Sequence, residues 1–244
     1  MPPIELVLPV ILTAAAIQSL FGVGVLLLGT PWMLLLGMDF APTLQLLLPI
    51  SLTINVLQLT RDHGHIDRPI LRRIWTLTLP AIAMALWVST RWSPPLELFV
   101  AVLVLTFSLQ DRVAVIRRTL ERLLAFERTY VVLMGLVHGA SNLGGSMLTA
   151  LAFGKGLDRR VARRTIAAGY TLFAVVQLST LALAGTPWLV DFGRGGGLVL
   201  AGGATFLLMD RFVFPRFDPQ QFRKGLEALL VATGGLLVWK TFQG

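Results

Sequence analysis

Side chains that could do chemistry are few in this chain, and several sit in apolar surroundings. His138 is the one histidine outside residues 61–67. Its imidazole, with an ordinary pKa of about 6.5, can either carry a proton or act as a neutral hydrogen-bond donor. Glu227, near the start of the last apolar run, is the second candidate for moving a proton. Ser51, Asn55 and Gln58 recur at i, i+4 and i+7 and so share one helix face. They, Gln18, Ser19, Thr171 and Gln177 lie in apolar surroundings and either line a solute path or bond neighbouring helices, at about 0.6 kcal/mol per bond. Two groups of turn-forming residues interrupt apolar stretches: Phe21-Gly22-Val23-Gly24 and Ser141-Asn142-Leu143-Gly144-Gly145. The apolar runs hold no nucleophile with its base, no paired carboxylates and no metal cluster, so no catalytic residues are expected. His63-Gly64-His65 lacks a third ligand nearby and reads as a solvated loop. With no cysteine, thiol chemistry and disulfides are excluded. Neither a metal nor a cofactor is expected.

The elements that must position these groups follow from composition. The 244 residues are 55% hydrophobic and 14% charged, and mean hydropathy is +0.74. A soluble domain carries about 25% charged residues, so this chain has too little polar surface to cover a water-soluble globule. Apolar residues run continuously rather than in the period-two alternation of a membrane β-barrel. An all-α polytopic membrane protein is expected, with the lipid bilayer as a partner. The N-terminus, Met1-Pro2-Pro3-Ile4-Glu5, has no basic region and no cleavage site, so no signal peptide is read there. Net charge is +8, but the basic residues lie in short loops between apolar runs, which argues against nucleic acid.

Four connections are basic: those holding Arg61 to Arg73, Arg112 to Arg128, Lys155 to Arg164, and Arg211 to Lys224. Residues 37–43, 91–97 and 185–195 are poor in Lys and Arg. Charge bias places the first four in the cytoplasm and the other three outside. Six spans alternate between them: 44–60, 74–90, 96–110, 165–185, 196–210 and 225–240. The stretch 129–155 has basic loops at both ends and must enter and return. Half-helices at 129–141 and 145–155, each only ~15–20 Å long, would meet at the Ser141–Gly145 turn inside the membrane. Residues 4–20 and 25–37 have the same form around Gly22 and Gly24, and a hairpin there places the N-terminus outside. The basic stretch 112–128 is amphipathic and reads as an interfacial linker.

The halves match at an offset of 119 residues: Gly37-Met38-Asp39 with Gly156-Leu157-Asp158, and residues 55–60 with 174–179. Gly22 and Gly24 pair with Gly144 and Gly145 on allowing a one-residue shift. One transmembrane domain, 1–244, is therefore expected in two repeats, 4–110 and 129–244, joined by the linker 111–128. Three spans per repeat invert the second repeat relative to the first, a recurring secondary-transporter design. Chance alignment of Leu-rich helices is the alternative.

Gln18-Ser19-Leu20-Phe21-Gly22-Val23-Gly24 with residues 29–37, and residues 135–145 with Asp158-Arg159-Arg160 and residues 164–167, resemble the two signatures of the sulfite exporter TauE/SafE family. The resemblance implies a multi-pass permease of a bacterial inner membrane that moves sulfite, sulfonates or related anions. Gly144-Gly145-Ser146 and Val25 depart from the commoner pattern of that family and leave the particular substrate open.

The residues themselves also favour an anion. A half-helix N-terminus presents free amides and a partial positive charge, and glycine lets a ligand approach the backbone. The expected binding residues are Gly22, Gly24, Thr30, Asn55, Gln58, Ser141, Asn142, Gly144, Gly145, Ser146 and Gln177, with no side-chain cation at the tips. The expected function is a secondary transporter of a small anionic substrate, with proton coupling through His138 or Glu227 as one option. An anion channel or a membrane-embedded enzyme are the alternatives, and homo-oligomerisation stays open.

Overall fold

The computed structural model describes all residues except 62–63, 93–95, 111, 217–218 and 244, and places no side chain at 215 or 219–223. The first hairpin is α1 (Ile4–Phe21) and α2 (Val25–Leu35), followed by α3 (Phe40–Arg61). Next, α4 (Arg68–Arg73) continues through a π-helical turn (Ile74–Thr78) into α5 (Leu79–Trp92), and α6 (Leu96–Leu109) precedes the linker helix α7 (Ala114–Ala125). The second hairpin is α8 (Glu127–Ser141) and α9 (Gly145–Gly154). Three long helices complete the chain: α10 (Arg159–Leu183), α11 (Phe192–Phe212) and α12 (Pro219–Gln243).

Several helices begin before their apolar runs do. Asp158 accepts from the Arg160 amide at 3.0 Å, so α10 starts at Arg159 rather than at 165. Asp67 accepts from the Ile70 amide at 2.7 Å and Asp191 from the Arg194 amide at 2.8 Å. A capping carboxylate satisfies an orphan amide, and basic residues propagate the helix well before it reaches apolar depth. Among the described residues, six helical stretches are long and apolar enough to cross a membrane: 4–21, 40–61, 68–92, 159–183, 192–212 and 224–243. The expected span 96–110 corresponds to α6, whose 14 residues fall short taken alone. Conversely α1, expected as a hairpin arm, reaches span length with 18 residues.

All four basic connections are bonded together. Glu127 pairs with both Arg73 and Lys155, Asp210 with both Arg61 and Arg163, and Glu227 with Arg112. The three connections poor in positive charge converge on one cavity of about 740 Å³, lined by Asp39, Arg91, Glu97 and Thr186 among others. The expected division into a basic and a weakly charged end is therefore a property of the fold.

Both hairpins return to the end they started from. Lys155, just past α9, reaches Glu127, the first residue of α8, at 2.6 Å. Met1 and Pro2 share a smaller cavity with Leu36, Gly37 and Met38. The return arms have 11 and 10 residues, ~15 Å each, about half of a bilayer core.

At the centre, α3 and α10 lie antiparallel. Gln58 donates to the Arg163 carbonyl at 3.1 Å near one end, and Gln45 donates to the Pro187 carbonyl at 2.8 Å near the other. On this pair, α5 packs against α10 and α11 against α3. Outside them α8 packs on α5 and α1 on α11, while α6 packs on α12. Each relation thus has a counterpart with the halves exchanged.

The α5–α8 seam shows how the hairpin is held. A Cβ on Gly135 would lie 2.5 Å from the Thr78 carbonyl oxygen, and one on Gly139 2.4 Å from that of Ile82. Ala81 and Ala85 face these glycines. Small residues four apart let the two backbones touch, which is how helices associate where lipid removes the hydrophobic drive. Trp75, Trp92, Leu183, Phe192 and Leu200 are exposed around the outside, as a lipid-facing surface requires. As expected, α7 is amphipathic: it buries no residue fully, and its Leu123 and Leu124 rest on the core.

Candidate functional site

The two breaks are one backbone device built twice, 120 residues apart. Gly22 (φ 78°) ends α1 and Asn142 (φ 64°) ends α8, both in the left-handed region. The Gly22 amide donates to the Gln18 carbonyl at 2.8 Å, and the Asn142 amide to the His138 carbonyl at 2.7 Å. Two residues on, the chain folds back on the helix it has just left. A Cβ on Gly24 would sit 2.4 Å from the Ala14 carbonyl oxygen, and one on Gly144 2.5 Å from that of Met134. The sequence pairing of Gly22 and Gly24 with Gly144 and Gly145 is corrected accordingly: Gly22 corresponds to Asn142, and Gly24 to Gly144. Asparagine is the side chain best able to stand in for glycine there, because it tolerates the left-handed region.

A buried polar layer passes through both breaks. Gln18 donates to the Asn55 side-chain oxygen at 3.1 Å and accepts from the Val25 amide, the first of α2, at 3.0 Å. Asn55 donates in turn to Ser51 at 3.1 Å. In the second half His138 Nε2 meets Gln177 Oε1 at 3.1 Å. The halves are joined where Asn142 donates to Thr30 at 2.9 Å. Gln18, Ser19, Thr30, Asn55, His138, Asn142 and Gln177 are all buried. Among the described residues, the Asn142 side-chain oxygen, His138 Nδ1 and the hydroxyls of Ser19 and Ser146 have no hydrogen-bond partner.

On the basic side of this layer lies a cavity of about 350 Å³. Phe21 and Val23 from the first break, Ser146 and Thr149 from α9, Ser108, Gln110, Arg159 and Glu227 line it. Gly145, at the start of α9, sits directly beneath the buried Tyr170 ring; a Cβ there would be 1.4 Å from the phenol oxygen. The cavity therefore joins the tip of one hairpin to the return helix of the other.

A family model described as Sulfite exporter TauE/SafE matches residues 7–237. The chain belongs to this family. No curated protein matches it, and no solved structure does. As a TauE/SafE protein it is a multi-pass helical membrane protein of a transporter family.

Set against this TauE/SafE fold, the expected site residues divide into groups. Ser146 and Glu227 line the cavity, and Gly22 and Gly24 flank Val23, which lines it too. Thr30 and Asn142 form the link between the hairpins, and Gly144 and Gly145 hold the second break against α8 and Tyr170. Ser141 donates to the Val137 carbonyl at 2.6 Å and accepts from the Leu143 amide at 3.2 Å, shaping the turn. Asn55, Gln58 and Gln177 are engaged between helices and do not line the cavity. His63 lies outside the described residues. Four side chains lie outside the expected binding set: Gln18, which the sequence marks as a polar residue in an apolar run, and Thr149, Tyr170 and Arg159. For Gln18 a signal existed, since it stands 120 residues before His138. Arg159, which sequence places in a basic loop, lines the cavity from the first turn of α10.

Proposed function

We propose that this TauE/SafE protein is a secondary transporter of a bacterial cytoplasmic membrane that exports a small sulfur oxyanion, sulfite or a sulfonate. The observation carrying this reading is the cavity between the hairpins. One wall is the break beside Gly22 and Gly24; the other is the first turn of α9, with Ser146 and Thr149. Pockets for small ligands start at about 300 Å³, so the space suits a small solute. The amides and dipole at the start of a half-helix favour an anion. At the first break Gln18 already occupies the Val25 amide, and at the second the Ser146 amide donates to the Leu143 carbonyl at 3.2 Å.

The wide cavity at the weakly charged end and this one lie on opposite sides of the polar layer. In this reading residues 4–110 and 129–244 are inverted repeats, and rocking of one against the other opens the layer to each side in turn. His138 and Glu227 are the candidates for coupling the cycle to protons, His138 through its bond to Gln177 and Glu227 through its pair with Arg112.

Purified protein reconstituted into liposomes tests the proposal. Flux of radiolabelled sulfite should saturate, be accelerated by sulfite on the opposite side, and fall in Ser146→Leu. Flux that neither saturates nor responds to trans substrate would identify a channel instead. An imposed pH gradient that leaves wild-type flux unchanged would remove the proton-coupling element alone.

A further inference from the structure

Of the described residues lining the cavity between the hairpins, two carry charge: Arg159 and Glu227. The Glu227 carboxylate is already compensated. Arg112 donates to its Oε2 through Nε at 3.3 Å and Nη2 at 3.2 Å. Arg159 is different. Its guanidinium lies 4.9 Å from the centre of the Phe214 ring, and no carboxylate among the described residues pairs with it. Its neighbour one turn on, Arg163, stacks on the same ring at 4.1 Å but gives its charge to Asp210 at 2.6 Å. Phe214 therefore carries two guanidinium groups, one neutralised and one left at the cavity.

Stacking on an aromatic face restricts a guanidinium while leaving its N–H edge available. That edge is a planar fork that matches two oxygens of an oxyanion, and charge-assisted bonds of this kind are the strong ones. Ser146 lines the same cavity, but its hydroxyl is buried. Thr149 adds no donor, because its hydroxyl donates to the Gly145 carbonyl at 3.0 Å. We propose that Arg159 is the anion-recognition residue of this cavity. It draws the substrate in from the basic side and forks two of its oxygens. The ligand class is a small oxyanion with at least two oxygens on one centre, and the inference rests on the transport reading above.

The test is efflux-direction flux in everted vesicles, with sulfite as probe, for wild type, Arg159→Gln, Arg159→Lys and Arg160→Gln. Arg160 is on the same turn but does not line the cavity. Expected is a KM raised about tenfold or more in Arg159→Gln, the usual worth of a hydrogen bond to a charged group, with maximal rate largely kept. Arg159→Lys should fall between, since it keeps the charge and loses the fork. Arg160→Gln should match wild type. The wild-type KM should also rise with ionic strength, and that slope should flatten in Arg159→Gln, because electrostatic attraction is screened by salt. A parallel thermal-unfolding scan with and without sulfite reports binding independently of flux. Equal KM and equal salt slope in wild type and Arg159→Gln would overturn the assignment and leave the transport reading standing. Equal losses in Arg159→Gln and Arg160→Gln would overturn it too, marking diffuse surface charge. Wild type that neither moves nor binds sulfite, sulfate, thiosulfate or taurine would overturn both.

Discussion

Asn142 donates its side-chain amide to the Thr30 hydroxyl at 2.9 Å, tying the tip of the second hairpin to the return helix of the first. Both residues are buried, and the bond is the direct side-chain tie between the two broken elements at the polar layer. Thr30→Val keeps the shape but removes the acceptor. A buried amide left without a partner costs about 1–3 kcal/mol, so the variant should unfold at a lower temperature in detergent.

Asn142 also stands in the left-handed region, at φ 64°. Asn142→Gly loses the bond to Thr30 but keeps the backbone comfortable. Asn142→Ala loses the bond and adds about 1–2 kcal/mol of left-handed strain. Thermal stability should fall in the order wild type, Asn142→Gly, Asn142→Ala. Equal stability of the last two would show that the turn does not use that conformation.

Gly139 and Gly235 give opposite expectations for the same change. A Cβ on Gly139 would press to 2.4 Å from the Ile82 carbonyl oxygen, whereas one on Gly235 meets nothing within 4 Å. Gly139→Ala should push α8 off α5 and lower stability by about 1–3 kcal/mol. Gly235→Ala should be neutral or raise stability by up to about 1 kcal/mol, from helix propensity alone. Chemical or thermal unfolding of the two variants side by side decides.

Glu127 predicts an acid-side pH dependence. Burial pushes its carboxyl up, but Lys155 and Arg73 together outweigh that and hold it below the ordinary 4.5. A depressed folded pKa gives stability that is complete above the unfolded value and is lost as pH falls through the folded one. Wild type should therefore weaken as the pH drops below about 4.5. Glu127→Gln should be less stable at neutral pH, with Lys155 and Arg73 facing each other unpaired, and should show a flatter acid limb. Unfolding scans from pH 3 to 7 (roughly the carboxylate range) would reveal an unchanged acid limb if the triad were irrelevant.

The absence of cysteine makes the topology directly testable. Single cysteines at Pro3 and Pro187 lie at the weakly charged end, and those at Gly64 and Thr119 at the basic end. A membrane-impermeant maleimide should label the first pair from one side and the second pair from the other. Labelling of Pro3→Cys together with Thr119→Cys would mean that α1 crosses without returning.

The elements were legible in sequence because a bilayer imposes its rules locally. A span must be long and apolar, and its charges must sit at its ends, so run lengths and arginine positions located the long helices and both breaks. Ser141–Gly145 could be read as a turn from residue types alone. The basic connections could be grouped because charge bias acts on each loop separately. The family resemblance lay in the same short stretches.

Partnership was not legible. Nothing local distinguishes Gln18, which braces a break, from Gln58, which reaches the Arg163 carbonyl across the α3–α10 pair. Ser51, Asn55 and Gln58 were rightly placed on one face, but whether that face meets a cavity or another helix depends on what packs there. Arg159 and Phe214 are 55 residues apart in the chain, and only the meeting of their two loops makes them a pair at the cavity. Sequence by itself thus determined which segments enter the membrane, where they break and which end is basic, since each is a property of one stretch in contact with lipid or water. Tertiary structure alone decided which polar groups satisfy one another and which line a cavity, because a buried hydrogen bond is completed by a group from elsewhere in the chain.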